Sequence, residues 1–310
     1  MRKRKKVMSF LFAGGFLLVA VCVYYFCAFY PTFNSLDKRE EFLIPGLEDG
    51  FVPQGLDYDK DNDVFLMCGY MSDGSPSRLY VIDEEESKFV TLKKDGESYL
   101  GHCGGVATDG FKVWISGDKE VQTLDYSEII NSSNGASLEI LDTKKTGNGC
   151  DFIDVVDGRL WIGEFYRKNK YETPMENRVN GSNALLYAYK IDHDNTSGFE
   201  ELEFCLTLPN NAQGIVNLGE KIVVSTSWSI PSSKIMVYEN PLKKEAAGEV
   251  FDVPLYELND KNLMQSILAP TMTEELTEKA GRVYINFESA CKKYKFINRT
   301  RIKYVLSIEV

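Results

Sequence analysis

A pattern of hydrophobic and polar positions recurs five times along the chain. Each copy holds an apolar strand, a turn with Gly or Asn, and a second strand of hydrophobic, often aromatic and then small residues. The second strands begin at Val64, Val113, Leu160, Ile222 and Val283. Their spacing of roughly 50 to 60 residues is near the period of propeller blades, so each copy predicts one small antiparallel sheet.

Further strands complete each copy. We predict third strands at 78–82, 121–126, 185–189, 234–238 and 302–308. Fourth, outer strands are predicted after four of them, at 88–93, 138–144, 203–208 and 253–258. The fifth copy has no outer strand of its own, and we expect residues 40–44, which precede the first copy, to supply it.

These repeats predict an all-β fold, a five-bladed β-propeller, with a six-bladed propeller as the alternative. A last blade split between the two ends of the chain closes the ring and removes its edges. A β-sandwich also uses many short strands, but it would not produce a five-fold recurrence. Helical periodicity is confined to one short candidate at 271–279.

The N-terminal region carries a different signal. Residues 7–30 contain no charge and directly follow the basic cluster 2–6. At about 1.5 Å per residue, a helix of this length spans a hydrocarbon layer of roughly 30 Å. The positive-inside rule then predicts a cytoplasmic tail (1–6), a transmembrane helix (7–30), a tether (31–38) and an extracytoplasmic propeller (39–310). A cleaved signal peptide is the alternative, but bulky residues occupy the place of its small-residue cleavage site.

The charge of the chain excludes one class of partner. Five of the 35 basic residues lie at 2–6, which leaves 30 against 46 acidic residues and a net charge of about −16. Such a surface repels phosphates, so we expect no nucleic-acid partner. Five of the seven cysteines lie beyond the predicted span without a C-x-x-C spacing, which favours buried free thiols.

One mouth of the propeller channel is the predicted site. First strands begin and second strands end at the same mouth, where loops carry function. Counting back from each second strand places five residues at equivalent first-strand positions, namely Gln54, Gly104, Asp151, Gln213 and Glu274. Two carboxylates, two amides and one glycine without a side chain are therefore expected to lie around the axis.

Further candidates lie beside this ring. His102 precedes a first strand, and Glu164, Trp228 and Glu288 lie at or beyond the ends of second strands. Converging oxygens suit Ca²⁺, and Asp151 with Glu274 would be its ligands. A water-filled polar channel is the alternative, because buried polar groups need partners.

Three short motifs resemble those of a known superfamily. Residues 53–59 (PQGLDYD), 104–110 (GGVATDG) and 286–290 (NFESA) are similar to blade motifs of gluconolactonase, SMP-30-like and NHL-type propellers. The resemblance implies a propeller fold. It also implies, for the lactonases of that group, six blades and a channel metal held by carboxylate and amide oxygens.

Two functions follow as hypotheses. In the first, a membrane-tethered propeller binds a small ligand or a protein partner at the channel mouth. In the alternative, a metal-dependent hydrolase of the lactonase or glycosidase type uses Asp151 and Glu274, with His102 as ligand or general base. The sequence contains no P-loop, Gly-x-Ser-x-Gly elbow, zinc-protease motif or dinucleotide fingerprint that would decide between them.

Overall fold

Strands of this chain form five sheets around one axis. The structure, a computed structural model, describes residues 14–21, 30–83, 86–146 and 149–310. Within them, 24 strands, numbered β1–β24 in chain order, divide into five hydrogen-bonded sheets. The innermost strands of neighbouring sheets contact one another in a closed ring. The predicted five-bladed propeller is therefore confirmed.

The blades follow the order of the chain, and each is given from its inner to its outer strand. Blade 1 consists of β2 (Phe51–Asp59), β3 (Val64–Met71), β4 (Arg78–Ile82) and β5 (Ser87–Lys94), with β6 (Glu97–Ser98) paired to β5. Blade 2 consists of β7 (Gly105–Thr108), β8 (Lys112–Gly117), β9 (Glu120–Asp125) and β11 (Asp142–Lys145). Blade 3 consists of β12 (Phe152–Val156), β13 (Arg159–Gly163), β14 (Ala184–Ile191) and β15 (Phe199–Leu208).

The last two blades close the ring. Blade 4 consists of β16 (Ala212–Asn217), β17 (Lys221–Thr226), β18 (Ser233–Glu239) and β21 (Leu263–Ala269). Blade 5 consists of β22 (Thr273–Lys279), β23 (Arg282–Phe287), β24 (Tyr304–Ile308) and β1 (Lys38–Leu43). The antiparallel pairing of β1 with β24 confirms that the N-terminal segment supplies the outer strand of the last blade.

One predicted outer strand, 138–144, divides between two blades, and another, 253–258, belongs to a different blade from the one predicted. Residues 136–139 form β10, which pairs in parallel with β5 of blade 1, and only 142–145 complete blade 2. Likewise β20 (Val253–Tyr256) pairs in parallel with β15 of blade 3 and antiparallel with β19 (Gly248–Val250), while β21 completes blade 4. An alternating segment fits any exposed sheet edge, so its sequence does not specify which edge it covers.

Helices are short in the described part of the chain. Residues 14–21 are helical and exposed. Other α-helices are Pro31–Ser35 and Tyr126–Asn131, and 3₁₀ turns lie at Met175–Asn177 and Pro241–Lys243. The helical candidate at 271–279 was wrong, because these residues form the buried inner strand β22.

The predicted membrane segment lies largely outside the described residues. The tail 1–6 and the parts 7–13 and 22–29 of the predicted span are not among them. No helix within the described ranges has both the length and the apolarity that a membrane crossing requires.

Tight turns and close packing around the axis fix the register of the blades. In blade 3 the two-residue turn Asp157–Gly158 has φ values of 50° and 73°, as a type I′ hairpin requires. At the axis, a Cβ on Gly214 would lie 2.7 Å from the Cα atom of Glu275. Only glycine permits this approach, and it brings the inner strands of blades 4 and 5 together.

Candidate functional site

A cavity of about 590 Å³ opens at the mouth where inner strands begin and second strands end. The residues that line it come from all five blades. They are Gln54, Tyr70, His102, Gly104, Gly117, Asp118, Lys119, Asp151, Phe165, Lys170, Tyr171, Gln213, Trp228, Ser229, Met272, Glu288 and Tyr294. Six of the eight candidates from the sequence are among them, and Glu164 and Glu274 are not.

β-Bulges at the start of three inner strands position the predicted ring. In β2 the pairing shifts between Pro53 and Gly55, so Gln54 is the extra residue. In β16 the same shift makes Gln213 the extra residue. In β22 both Glu274 and Glu275 lie opposite Asn286 alone. Because a bulge changes the direction of the side chains around it, these strands present polar groups at the mouth that regular alternation would distribute differently.

Glu288 and Glu274 form a pair of carboxyl groups at one side of the cavity. Glu288 lines the cavity, accepts a 2.9 Å hydrogen bond from Nε2 of Gln54, and hydrogen-bonds to Glu274 behind it. Burial raises the pKa of Glu288 to about 7, and burial next to the charge of Glu288 raises the pKa of Glu274 well above its ordinary range. At neutral pH the pair therefore holds a proton, with Glu274 as the donor.

Asp151 is a second carboxyl group that faces the cavity. Its Oδ2 atom accepts a 2.7 Å hydrogen bond from the backbone N–H of Phe165. Desolvation outweighs this bond and raises the pKa of Asp151 to about 7. A carboxyl with such a pKa can accept or donate a proton at neutral pH, and it can bind a cationic or hydroxyl group of a ligand.

His102 lies at the cavity wall with its ring against Tyr70. The two ring centroids are 4.8 Å apart and the planes meet at 30°. Burial lowers the pKa of His102 below its ordinary value, so the ring is neutral at pH 7 and offers one donor and one acceptor. Nζ of Lys293 donates a 2.7 Å hydrogen bond to the Tyr70 hydroxyl.

Three aromatic rings form another wall of the cavity. The centroids of Phe165, Tyr171 and Trp228 lie 5.7 to 6.0 Å from one another. Nζ of Lys170 lies 4.5 Å from the centroid of Trp228, within cation–π range. Only Trp228 was found from the sequence. The signal for the others is the length of the segment 164–183 between β13 and β14, since long loops in compact domains are commonly functional.

Glu164 has a structural environment. Its side chain is fully buried outside the cavity. It accepts hydrogen bonds from the backbone N–H of Leu185 at 2.9 Å and from the Tyr187 hydroxyl at 3.2 Å, and Asn177 donates a further bond. Burial raises the pKa of Glu164. It therefore supports the strand that ends at the cavity without facing a ligand.

Another carboxyl group, that of Glu275, lies on the axis next to the cavity. Its Oε2 accepts hydrogen bonds from the N–H groups of Leu56 (2.8 Å) and Val106 (2.9 Å), and its Oε1 accepts one from Ile153 (3.0 Å). These donors belong to blades 1, 2 and 3, whereas Glu275 belongs to blade 5. The sequence placed Glu274 at the axis and missed this role of its neighbour.

The calcium site stays a prediction. Glu274 lies behind Glu288, while Asp151 bonds to the backbone of Phe165 and faces the cavity. In the ranges that the structure describes, no group of three or more His, Cys, Asp or Glu side chains is placed to hold a metal ion. All five cysteines beyond residue 30 are buried free thiols.

The likenesses of this chain to known proteins are to solved structures at 10 to 12% identity. No protein family and no curated protein matches the sequence. Glutaminyl cyclase from Myxococcus xanthus is similar at 10% identity over 88% of this chain and 97% of its own, with a TM-score of 0.47. A gluconolactonase from Xanthomonas campestris is similar at 11% identity over 91% and 93%, with a TM-score of 0.42.

A third solved structure, a putative oxidoreductase (glucose dehydrogenase) from Thermus thermophilus, is similar at 12% identity. The match covers 88% of this chain and all of that one, with a TM-score of 0.46. At such identities and TM-scores these likenesses carry no argument about chemistry. The fold assignment rests on the strand pairing of this chain itself.

Proposed function

We propose that this protein is a membrane-tethered propeller that binds a small polar ligand with a ring-shaped face at its channel mouth. One observation carries the proposal. The cavity places an aromatic wall of Phe165, Tyr171 and Trp228 in the same space as the carboxyls of Asp151 and Glu288. Its volume of about 590 Å³ is that of a small-molecule site, which favours a small ligand over a protein partner.

The two kinds of wall have complementary tasks. Aromatic faces pack against the flat, weakly polar face of a ring, and their quadrupoles favour polarised C–H groups or cations. Asp151, Glu288 and the amide of Gln54 supply acceptors and donors for the rim of the same ring. A sugar, an aldonolactone or an aromatic amine presents this combination.

The membrane tether is part of the proposal. Residues 7–30 would cross the membrane with the N-terminus in the cytoplasm, and the propeller would lie outside the cell. The uncharged length of this segment and the basic cluster at 2–6 support that orientation.

Trp228 provides a direct test of binding. The other two tryptophans, Trp114 and Trp161, are fully buried, so a ligand in the cavity acts on the emission of Trp228 alone. The purified full chain in detergent would be titrated with monosaccharides, aldonolactones and aromatic amines to concentrations of about 10 mM. We expect saturable quenching by one of these classes, at least tenfold weaker in Asp151→Asn.

Controls separate binding from other effects. Glu249→Gln makes the same chemical change at an exposed position of β19 and should leave the titration unchanged. Trp228→Phe should abolish the signal. If no probe changes the emission and none raises the melting temperature, the small-ligand proposal is wrong. If the chain hydrolyses a lactone or glycoside and Asp151→Asn does not, the protein is a hydrolase and the proposal of binding alone is wrong.

A further inference from the structure

The mouth face of the propeller differs in construction from the opposite face. Two long loops extend from it, 164–183 between β13 and β14 and 288–303 between β23 and β24. On the opposite face, inner and second strands are joined by short turns such as 60–63 and 157–158. The longer connections there, 126–141 and 240–262, contain β10, β19 and β20, which extend the outer edges of two sheets. A surface beyond the cavity itself is therefore built on the mouth side.

Loop 288–303 is basic within an acidic protein. Between 289 and 303 it has no acidic residue and six basic ones, which are Lys292, Lys293, Lys295, Arg299, Arg301 and Lys303. The rest of 7–310 has 24 basic against 46 acidic residues. Lys292, Arg301 and Lys303 are exposed, and they form no ion pair with any residue that the structure describes. Lys295, Lys303 and Lys292 lie around one carboxylate, Glu48, and lower its pKa, so the cluster keeps a net positive charge for an external anion.

Apolar side chains project beside these cations. Phe296 is 73% exposed and Ile297 43% exposed at the tip of loop 288–303. In loop 164–183, Met175 is 72% exposed and Tyr171 49% exposed, close in sequence to Arg167 and Lys170. Exposed apolar tips among basic residues are typical of surfaces that enter the headgroup region of a bilayer.

The path of the chain brings its N-terminal segment to the same face. Tyr30, the last residue of the predicted span, is buried, and Nε of Arg299 donates a 3.1 Å hydrogen bond to its hydroxyl. Residue 30 thus lies against loop 288–303. The helix Pro31–Ser35 then packs along β21, and the chain enters β1 at Lys38, opposite Ile308 at the far end of β24. A membrane anchor that precedes residue 30 would therefore join the propeller on its mouth side.

The opposite face has the contrary charge. Its turns between inner and second strands carry Asp61, Asp63, Asp109, Asp157 and Glu220, with Lys60 as their basic residue. Lys279 pairs with Asp63 and Lys243 pairs with Glu220, so three unneutralised acids remain against one lysine. An anionic lipid surface would repel this face and attract loop 288–303.

We propose that the mouth face rests on an anionic phospholipid surface, with the tips of loops 288–303 and 164–183 in the headgroup layer. This inference rests on the membrane tether proposed above and deepens it, because it gives the tethered propeller one orientation. The cavity then opens towards the bilayer, and its ligand reaches it from the membrane surface.

Two exposed phenylalanines on opposite faces provide a matched test. Phe296 lies at the tip of the basic loop, and Phe111, 70% exposed, lies in the turn between β7 and β8. Each would be changed to Cys in full chains that carry Cys22→Ser and Cys27→Ser, and labelled with an environment-sensitive dye. The buried native thiols are protected from the label. The chains would be placed in nanodiscs of phosphatidylcholine, with or without phosphatidylglycerol, that contain headgroup nitroxide quenchers.

We expect at least twofold stronger quenching at 296 than at 111 in the anionic discs. This excess should fall at least twofold in neutral discs, in about 0.5 M salt, and in Lys292→Glu/Arg301→Glu/Lys303→Glu. Circular dichroism would verify folding, and the salt series gives the same answer in the unmutated loop if the triple variant misfolds.

Three outcomes would overturn the proposal. Equal quenching at 296 and 111 in anionic discs would show that the apolar tip does not enter the lipid, and a protein partner would then be the alternative occupant. Excess quenching that is the same in both lipids would exclude recognition of anionic lipid. Failure of the chain to enter discs at all would remove the tether and this inference together. Ligand binding to the cavity, measured in detergent, is independent of all three outcomes and would stand or fall alone.

Discussion

Glu275 and Glu288 are two carboxyl groups of blade 5 with opposite tasks, the first buried and the second half-buried. The oxygens of Glu275 accept three backbone N–H groups from three other blades. In the described part of the chain, the carboxyl group of Glu288 bonds to two side chains, the amide of Gln54 and the carboxyl of Glu274, and it faces the cavity. A carboxylate has about four acceptor sites, so Glu275 is nearly saturated while Glu288 keeps acceptors for a ligand.

The contrast teaches how to separate structural from functional acids in a propeller channel. Burial raises the pKa of both groups, so the shift alone does not distinguish them. What distinguishes them is the origin of their partners. Backbone donors from several blades indicate a joint of the fold, and a side-chain partner beside open space indicates a site.

The largest effect is expected from removal of the axial joint, by which we mean the carboxyl of Glu275 and its three backbone donors. Glu275→Leu should lower the free energy of unfolding by about 4 kcal/mol, because three buried N–H donors lose their acceptor. Urea unfolding followed by circular dichroism measures it. Glu275→Gln keeps one acceptor oxygen and should lose about half as much. Equal stability of the two variants would contradict the role of Glu275 as a joint.

Crowding of the same joint should have the next largest effect. A Cβ on Gly105 would lie 2.4 Å from Oε1 of Glu275 and 2.8 Å from the backbone nitrogen of Ile153. Gly105→Ala should therefore cost about 2 to 3 kcal/mol through overpacking. Gly248→Ala, which meets nothing within 4 Å, is the control and should change stability by less than about 0.5 kcal/mol. If both variants have the same stability, the inner strands around the axis accommodate the added methyl group, and the prediction is wrong.

Stability should fall as pH rises through the range in which the mouth carboxyl titrates. The folded pKa of Glu288, about 7, exceeds its ordinary value of 4.5, so the folded state binds this proton more tightly. Its contribution is complete below about pH 4 and is lost as pH rises through 7. In denaturant titrations, the free energy of unfolding of Glu288→Gln should fall by about 1 kcal/mol less between pH 5 and 8 than that of the unchanged protein. Parallel curves for the two proteins would show that Glu288 titrates alike in both states.

The pH window avoids the opposite effect. Lys94 beside Glu120 lowers the pKa of that carboxyl, so its contribution to stability is present above its unfolded pKa and lost on acidification. Measurements between pH 5 and 8 therefore exclude Glu120. His102, whose pKa is lowered by burial, titrates inside this window, but it does so in both proteins, so its contribution cancels when Glu288→Gln is compared with the unchanged chain.

The smallest effect on stability is expected at Asp151. Asp151→Asn keeps an oxygen that can accept from the N–H of Phe165, so stability should change by less than about 0.5 kcal/mol. The response of Trp228 emission to the bound probe should nevertheless weaken at least tenfold. A loss of stability like that of Glu275→Leu would place Asp151 with the structural acids.

The sequence predicted strands well where alternation and turns coincide. Second and third strands of all five blades lie where their hydrophobic pattern placed them, within a few residues. Predictions were wrong for the outer segment 253–258 and for the first part of 138–144, because an edge strand has a partner on one side only and its pattern fits several edges. The candidate helix 271–279 was wrong because an inner strand buried on both faces loses the alternation that marks a strand.

The site was predictable in position and less so in detail. Register placed Gln54, Asp151 and Gln213 at one mouth, where they line the cavity. Phe165, Lys170 and Tyr171 were missed because irregular loops have no period from which direction can be inferred.

By itself, the sequence determined five blades, the closure of the ring by its N-terminal strand, and the mouth at which polar residues gather. These follow from period and alternation, which are local properties of the chain. Tertiary structure alone decided that Glu275 bonds to the backbone of three inner strands at the axis, while Glu288 and Asp151 face the cavity. That choice depends on a bulge in β22 and on hydrogen bonds between residues 122 to 219 positions apart, which no local pattern encodes.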